Sequence, residues 1–221
     1  SGVCPTQNFV DKYETIDGYA LNTEADREIA ISRGSYNEQN PYSNRDPRMD
    51  LVIIHDGSPA FDQAAITSSG GVFNIYYDPA TKSYPVTNLN GTNMSYGIDW
   101  GSGDSDTKGA SNTGYYCRRY WNGSFASYYQ LDGMFRLGEM YLAYAEAVNE
   151  AYGPSGSAGG MNITALEAVN TVRERATMPG VRSEYCSDKD TFRAYIRNYR
   201  CVDGGFERNH YYLDIRRWMA A

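Results

Sequence analysis

The residues best placed to do chemistry in this chain are aromatic and amide side chains rather than catalytic ones. Tyr76, Tyr96, Trp100 and Trp121 fall in one stretch and are interleaved with Asn93, Asp99 and further Asn residues. Flat aromatic faces stack on apolar ligand faces, while carboxamides offer a donor and an acceptor side by side. Such a mixture suits a recognition surface. Trp100 stands in the most Gly- and Asp-rich loop, where it has little local core to join. Trp121 follows a predicted strand and suits core packing equally well. Asp99, Asp104 and Asp106 occur in the run DWGSGDSD and could ligate calcium through oxygen. Their spacing does not match an EF-hand loop, so a solvated acidic loop is the simpler reading, and no cofactor is expected.

Catalytic groups are scarce. There are two His, His55 and His210. His55-Asp56 closes a predicted strand and could suit a base, but no G-x-S-x-G turn accompanies it. H-E-x-x-H, P-loop and G-x-G-x-x-G patterns are missing from the sequence. A carboxylate-pair glycosidase remains formally open among 27 acids, but nothing singles out a pair. The expectation is a protein that is not an enzyme. The four Cys (Cys4, Cys117, Cys186, Cys201) form no C-x-x-C, so a zinc ribbon or redox motif is unsupported. Cys186 and Cys201 bracket a predicted helix; free buried thiols are favoured over a disulfide between them.

These side chains must be carried by elements of two textures. Residues 1–132 are rich in Gly, Ser, Asn, Asp and Tyr and read as a loop-rich ligand-binding region with short strands. Pro5–Leu21 holds a short helix. Arg48–His55, Gly71–Tyr77 and Thr113–Trp121 read as strands. The long Gly/Ser/Asn/Asp segment Asn88–Asn112 is of the kind that carries function. Residues 133–221 read as helical. Phe135–Ala151 places Phe135, Met140, Leu142, Ala143, Ala147 and Val148 near one stripe. Thr164–Ala176 follows, with Thr164 and Glu167 at capping-box spacing, and the two helices are expected to form an antiparallel hairpin. Asp188 or Asp190 caps a helix through Val202 that Gly204-Gly205 stops. A last helix carries Tyr211, Leu213, Ile215 and Trp218.

Whole-chain arithmetic agrees with a folded, net-acidic protein. Of 221 residues, 41% are hydrophobic and 21% charged, enough to build a core. The net charge of −7 leaves no electrostatic footprint for duplex nucleic acid. No apolar run reaches membrane-spanning length. The 21 Tyr and the excess of Arg (16) over Lys (4) favour multidentate polar contacts.

The order of local signatures resembles the SusD/RagB family of outer-membrane nutrient-binding lipoproteins. The series runs from Pro5-Thr6-Gln7 and Asp17-Gly18 through Asn40-Pro41-Tyr42 and Arg45-Asp46-Pro47-Arg48. It continues with Gly114-Tyr115-Tyr116, Arg118-Arg119-Tyr120, Phe135-Arg136-Leu137 and Tyr144-Ala145-Glu146-Ala147. Val169-Asn170, Arg173 and Arg175-Ala176 precede Ile196-Arg197-Asn198, Arg200, Phe206-Glu207 and Asp214-Ile215-Arg216-Arg217-Trp218. The chain departs from the family pattern after Phe206-Glu207, where Arg208-Asn209-His210-Tyr211-Tyr212-Leu213 is one residue longer.

The resemblance implies a mainly α fold: an α/α superhelix of tetratricopeptide-like hairpins with a loop-rich insert holding short β-strands. It implies one such domain, of which this chain is the C-terminal half, with a lipid anchor lying N-terminal to it. It further implies a cell-surface, lipid-anchored location and a role as the lid of a SusC-like TonB-dependent barrel. The cargo would be an oligosaccharide or, in a RagB-like branch, a peptide. Within that frame Trp100, Tyr96, Tyr76, Trp121, Asn93 and Asp99 are the expected ligand-binding residues. Glu207, Asp214, Arg216, Arg217 and Trp218 are expected to form a buried Arg–carboxylate network rather than a ligand site.

Overall fold

The computed structural model describes residues 4–59, 73, 75, 111, 113–119, 135–207 and 210–219. In chain order the elements are α1 (Gln7–Val10), α2 (Glu24–Ser32), α3 (Arg48–Val52), β1 (Ile53–Ile54), β2 (Tyr116–Cys117), α4 (Leu137–Tyr152), α5 (Ala165–Arg175), a 3-10 turn (Ser183–Tyr185), α6 (Lys189–Gly204) and α7 (His210–Arg217). The fold is mainly α. The chain forms two compact units, Ser1–Gln7 with Asp50–Leu131 and Asn8–Met49 with Asp132–Ala221.

In the first unit β1 pairs antiparallel with β2, Ile53 opposite Cys117 and Ile54 opposite Tyr116. Ile54, Phe73 and Ile75 form a small apolar cluster with Tyr116 against it. The turn after β1 is tied down by polar contacts. Asp56 accepts the Ile75 amide at 2.6 Å, and Gly57 N–H bonds Phe73 O at 2.7 Å.

The predicted strand Arg48–His55 is therefore mostly wrong, since only Ile53–Ile54 is extended. Asp46 accounts for the difference. Its carboxylate accepts the Arg48 amide at 2.9 Å and its carbonyl accepts Met49 N–H at 2.9 Å. That capping, with Pro47 in the first turn, starts a helix. Met49 and Val52, three apart, are then both buried, so helical packing overrides local β propensity.

The second unit is a helical layer around α4, α5 and α6. Their core is Leu142, Ala145, Val148, Ala165, Ala168, Val169, Val172, Phe192, Tyr195, Ile196 and Tyr199. Gly138 at the start of α4 lies against Val172 and Arg175 at the end of α5 and Asp203 at the end of α6. Asn149 at the other end of α4 donates to Lys189 O, where α6 begins, at 2.9 Å. Both α5 and α6 thus run antiparallel to α4. A Cβ at Gly138 would meet Asp203 Oδ2 at 3.4 Å, so glycine permits this close approach.

The expected α4–α5 hairpin is present, but its buried face is not the predicted stripe. The buried positions of α4 are Gly138, Leu142, Ala145, Val148 and Asn149. Phe135 and Met140 are exposed, at 75% and 56%, as are Ala143 and Ala147. Small residues facing α5 shift the seam, because Ala145 lets the backbones approach. Caps agree with the sequence reading. Thr164 and Glu167 form the capping box of α5, and Asp188 caps α6 by accepting from Asp190 and Thr191 amides. All four Cys are free thiols; Cys201 is buried and Cys186 bonds Arg182 O at 3.5 Å.

Candidate functional site

The expected ligand-binding residues Trp100, Tyr96, Tyr76, Trp121, Asn93 and Asp99 lie outside the described residues, as do Asp104 and Asp106. Among the described residues no three His, Cys, Asp or Glu side chains converge as metal ligands. His55 is 8% exposed. Its Nδ1 is 2.7 Å from Asp56 O and its Nε2 3.2 Å from Asp50 Oδ1, which locks the turn after β1.

The charged motif at the chain's end assembles as a network, as its composition implies. Arg200 grips Asp214 through Nε at 2.8 Å and Nη2 at 3.0 Å. Arg217 spans two helices, bonding Glu146 Oε1 at 2.7 Å, Glu146 Oε2 at 2.8 Å and Asp214 at 2.9 Å. Trp218 Nε1 donates to Glu146 at 2.6 Å. Burial opposes the Glu146 charge, but bonds from Arg217 and Trp218 outweigh it and hold its carboxyl below the usual carboxylate range. Arg136 closes the other end, on Glu207 at 2.8 Å and Asp203 at 2.9 Å. Arg216 stands apart, exposed and bonded to the Tyr212 hydroxyl.

A second charged chain runs through the interior of the same unit. Arg173 is fully buried, and its Nη1 donates to Glu14 Oε2 at 2.7 Å and to the Tyr195 hydroxyl. Burial lifts the Glu14 carboxyl above the usual range, against the pull of Arg173. Arg48 bonds Asp46 through both Nε and Nη2 and reaches Asp203 at 3.5 Å, with its guanidinium 4.5 Å over the Tyr199 ring. Bidentate, ring-stacked Arg is the side chain for such buried positions. These contacts clip Asn8–Met49 onto α5 and α6.

Two grooves follow the exposed side of α6. One, of about 380 Å³, is lined by Glu14, Asp26, Tyr185 and Tyr195 among others. The other, of about 660 Å³, is lined by Asn8, Lys12, Arg197, Tyr211, Ile215 and Trp218. Asn22, Ala194 and Asn198 border both. Ala194, Arg197 and Asn198 share one helical face, and Tyr211, Ile215 and Trp218 share another. Those spacings are visible in the sequence; that Asn8, Lys12 and Asn22 join them is not, because that contact crosses about 180 residues of chain.

The SusD family model matches the chain from residue 1 to residue 221. The chain belongs to the SusD family. Two solved structures are similar to it. One is a SusD-like protein from Bacteroides fragilis NCTC 9343, with 25% identity and a TM-score of 0.54, covering 98% of this chain and 36% of that one. The other is a SusD-like carbohydrate binding protein from the same strain, with 21% identity and a TM-score of 0.56, covering 99% of this chain and 38% of that one. The chain thus spans well under half the length of these SusD-like structures. No curated protein matches the chain. The mainly α fold agrees with these SusD-like neighbours. Among the described residues no helix is long and apolar enough to cross a membrane.

Proposed function

We propose that this chain is part of a glycan-binding protein of the cell surface that delivers oligosaccharide to a SusC-like TonB-dependent barrel. The observation that carries this reading is the SusD family match over all 221 residues. The described residues add support of a different kind. Arg136, Arg200 and Arg217 are held in Arg–carboxylate bonds, so these motif charges tie the helices together rather than face a ligand. On this reading Trp100, Tyr96, Tyr76 and Trp121 supply stacking faces, and Asn93 and Asp99 answer sugar hydroxyls. A lipid anchor N-terminal to this chain would hold the protein at the outer membrane.

The test is electrophoresis in native gels that contain soluble polysaccharides, beside calorimetry with a peptide mixture. Retardation by one polysaccharide is expected, and Trp100→Ala should abolish it while leaving the melting temperature unchanged. Heat from peptides without retardation by any polysaccharide would replace glycan with peptide as cargo.

A further inference from the structure

The larger groove beside α6 differs in charge from the rest of this acidic protein. Among the described residues its lining holds Lys12 and Arg197 and no carboxylate. The smaller groove holds Glu14 and Asp26, and the cleft around Arg136 holds Glu139, Asp203, Glu207 and Asp214. Among the described residues, a chain of net charge −7 thus sets two cations and no acid in the lining of one groove.

Neither cation is consumed by an ion pair among the described residues. Lys12 Nζ meets the Asn198 carboxamide at 3.4 Å. Arg197 lies over the Trp218 ring at 5.1 Å from its centroid. Glu150 feels the Arg197 charge but is bonded to Arg193. A guanidinium stacked on an indole keeps its in-plane N–H groups for an anion, and the stack fixes their direction. Around these charges stand the exposed amides of Asn8 and Asn22, which make no hydrogen bond among the described residues, and the part-exposed ring of Tyr211. Amides that can donate and accept match vicinal hydroxyls, and a phenol face suits a sugar ring. The volume of about 660 Å³ is that of a small-ligand site.

We infer that this groove binds an anionic saccharide, with a carboxylate or sulfate ester on Arg197 and Lys12 and the sugar hydroxyls on Asn8 and Asn22. The inference rests on the glycan reading above and adds the charge class of the ligand and a second place where it is held. An acidic peptide would satisfy the two cations but would leave the hydroxyl-matching amides without their partners.

Titration calorimetry of the 221-residue chain with oligogalacturonate, with its neutral methyl ester, with a sulfated neutral oligosaccharide and with a glutamate-rich peptide tests this. The free acid should bind about tenfold more tightly than the ester, as expected for a charge-assisted contact. Binding of the sulfated sugar in place of the uronate would name sulfate as the anion and support the site. Lys12→Met and Arg197→Gln should each remove the preference for the acid. Arg197→Lys, which keeps the charge, covers the case in which Arg197→Gln does not fold. Equal affinity for acid and ester, or a preference that survives both substitutions, overturns this inference and leaves the glycan reading standing. Binding of the peptide alone overturns both.

Discussion

Removing the Glu14 carboxylate leaves Arg173 charged, dry and without its anion. Breaking a buried pair from one side costs about 3–5 kcal/mol, whereas replacing both partners by apolar groups costs far less. Glu14→Ala should therefore lower stability to urea by that amount, and Glu14→Ala with Arg173→Met by much less than the sum of the two single changes. Equal and additive losses would show that the pair is not coupled. Burial of the motif acids at this scale was legible. Asp214, Arg217 and Trp218 read as an Arg–carboxylate network and form one. Their partner Glu146 was not legible, because a lone Glu in the middle of a helix reads as a solvated position. Lys12 and Arg197 escaped for a related reason: nothing in their own neighbourhoods shows that they line one groove.

Elements were easier to read where local chemistry decides them. Thr164→Ala should cost about 1 kcal/mol by deleting the side-chain acceptor of the α5 cap, as read by thermal unfolding. Gly205→Ala should cost about 1–3 kcal/mol, since a Cβ there would lie 2.7 Å from Cys201 O and 2.5 Å from Phe9 Cζ. The α6 cap adds a pH signature. Amide and hydroxyl bonds from Thr191 hold the Asp188 carboxyl down at about 2, below its ordinary 3.8. A depressed carboxyl pKa gives stability that is complete above the ordinary value and lost as pH falls toward the folded one. Asp188→Asn keeps the cap but not the charge, so its melting temperature should fall less steeply than the parent's between pH 3.8 and 2. One element, α2, has no clear signature in the sequence and one, α3, was misread, each for a physical reason. Helix α2 is capped by Thr23, whose hydroxyl accepts the Asp26 amide, but its face is thin, with Ala30 buried while Ile29 and Ile31 are exposed. Helix α3 looked extended because the apolar run Leu51–Ile54, which begins inside it, outweighs a short cap signal from Asp46.

At the scale of the molecule, the second unit is discontinuous in sequence. Asn8–Met49 and Asp132–Ala221 fold together across an intervening stretch of 82 residues assigned to the other unit. The helical hairpin could be foreseen from periodicity, while this joining could not, because it rests on pairings such as Glu14 with Arg173 and Arg48 with Asp203. Deleting residues 8–49 should leave Arg173 and Tyr195 without their acid partner and abolish cooperative unfolding of the remaining helices, measured by circular dichroism. The same discontinuity has a consequence during synthesis. Glu14 is synthesised 159 residues before Arg173, which is roughly 8–30 s at about 5–20 residues per second. For that interval a segment destined for the interior has no partner to fold onto. Its early Tyr, Leu and Ile side chains are then open to holdase chaperones and to proteases, and the rate at which the last helices emerge governs how much nascent chain survives.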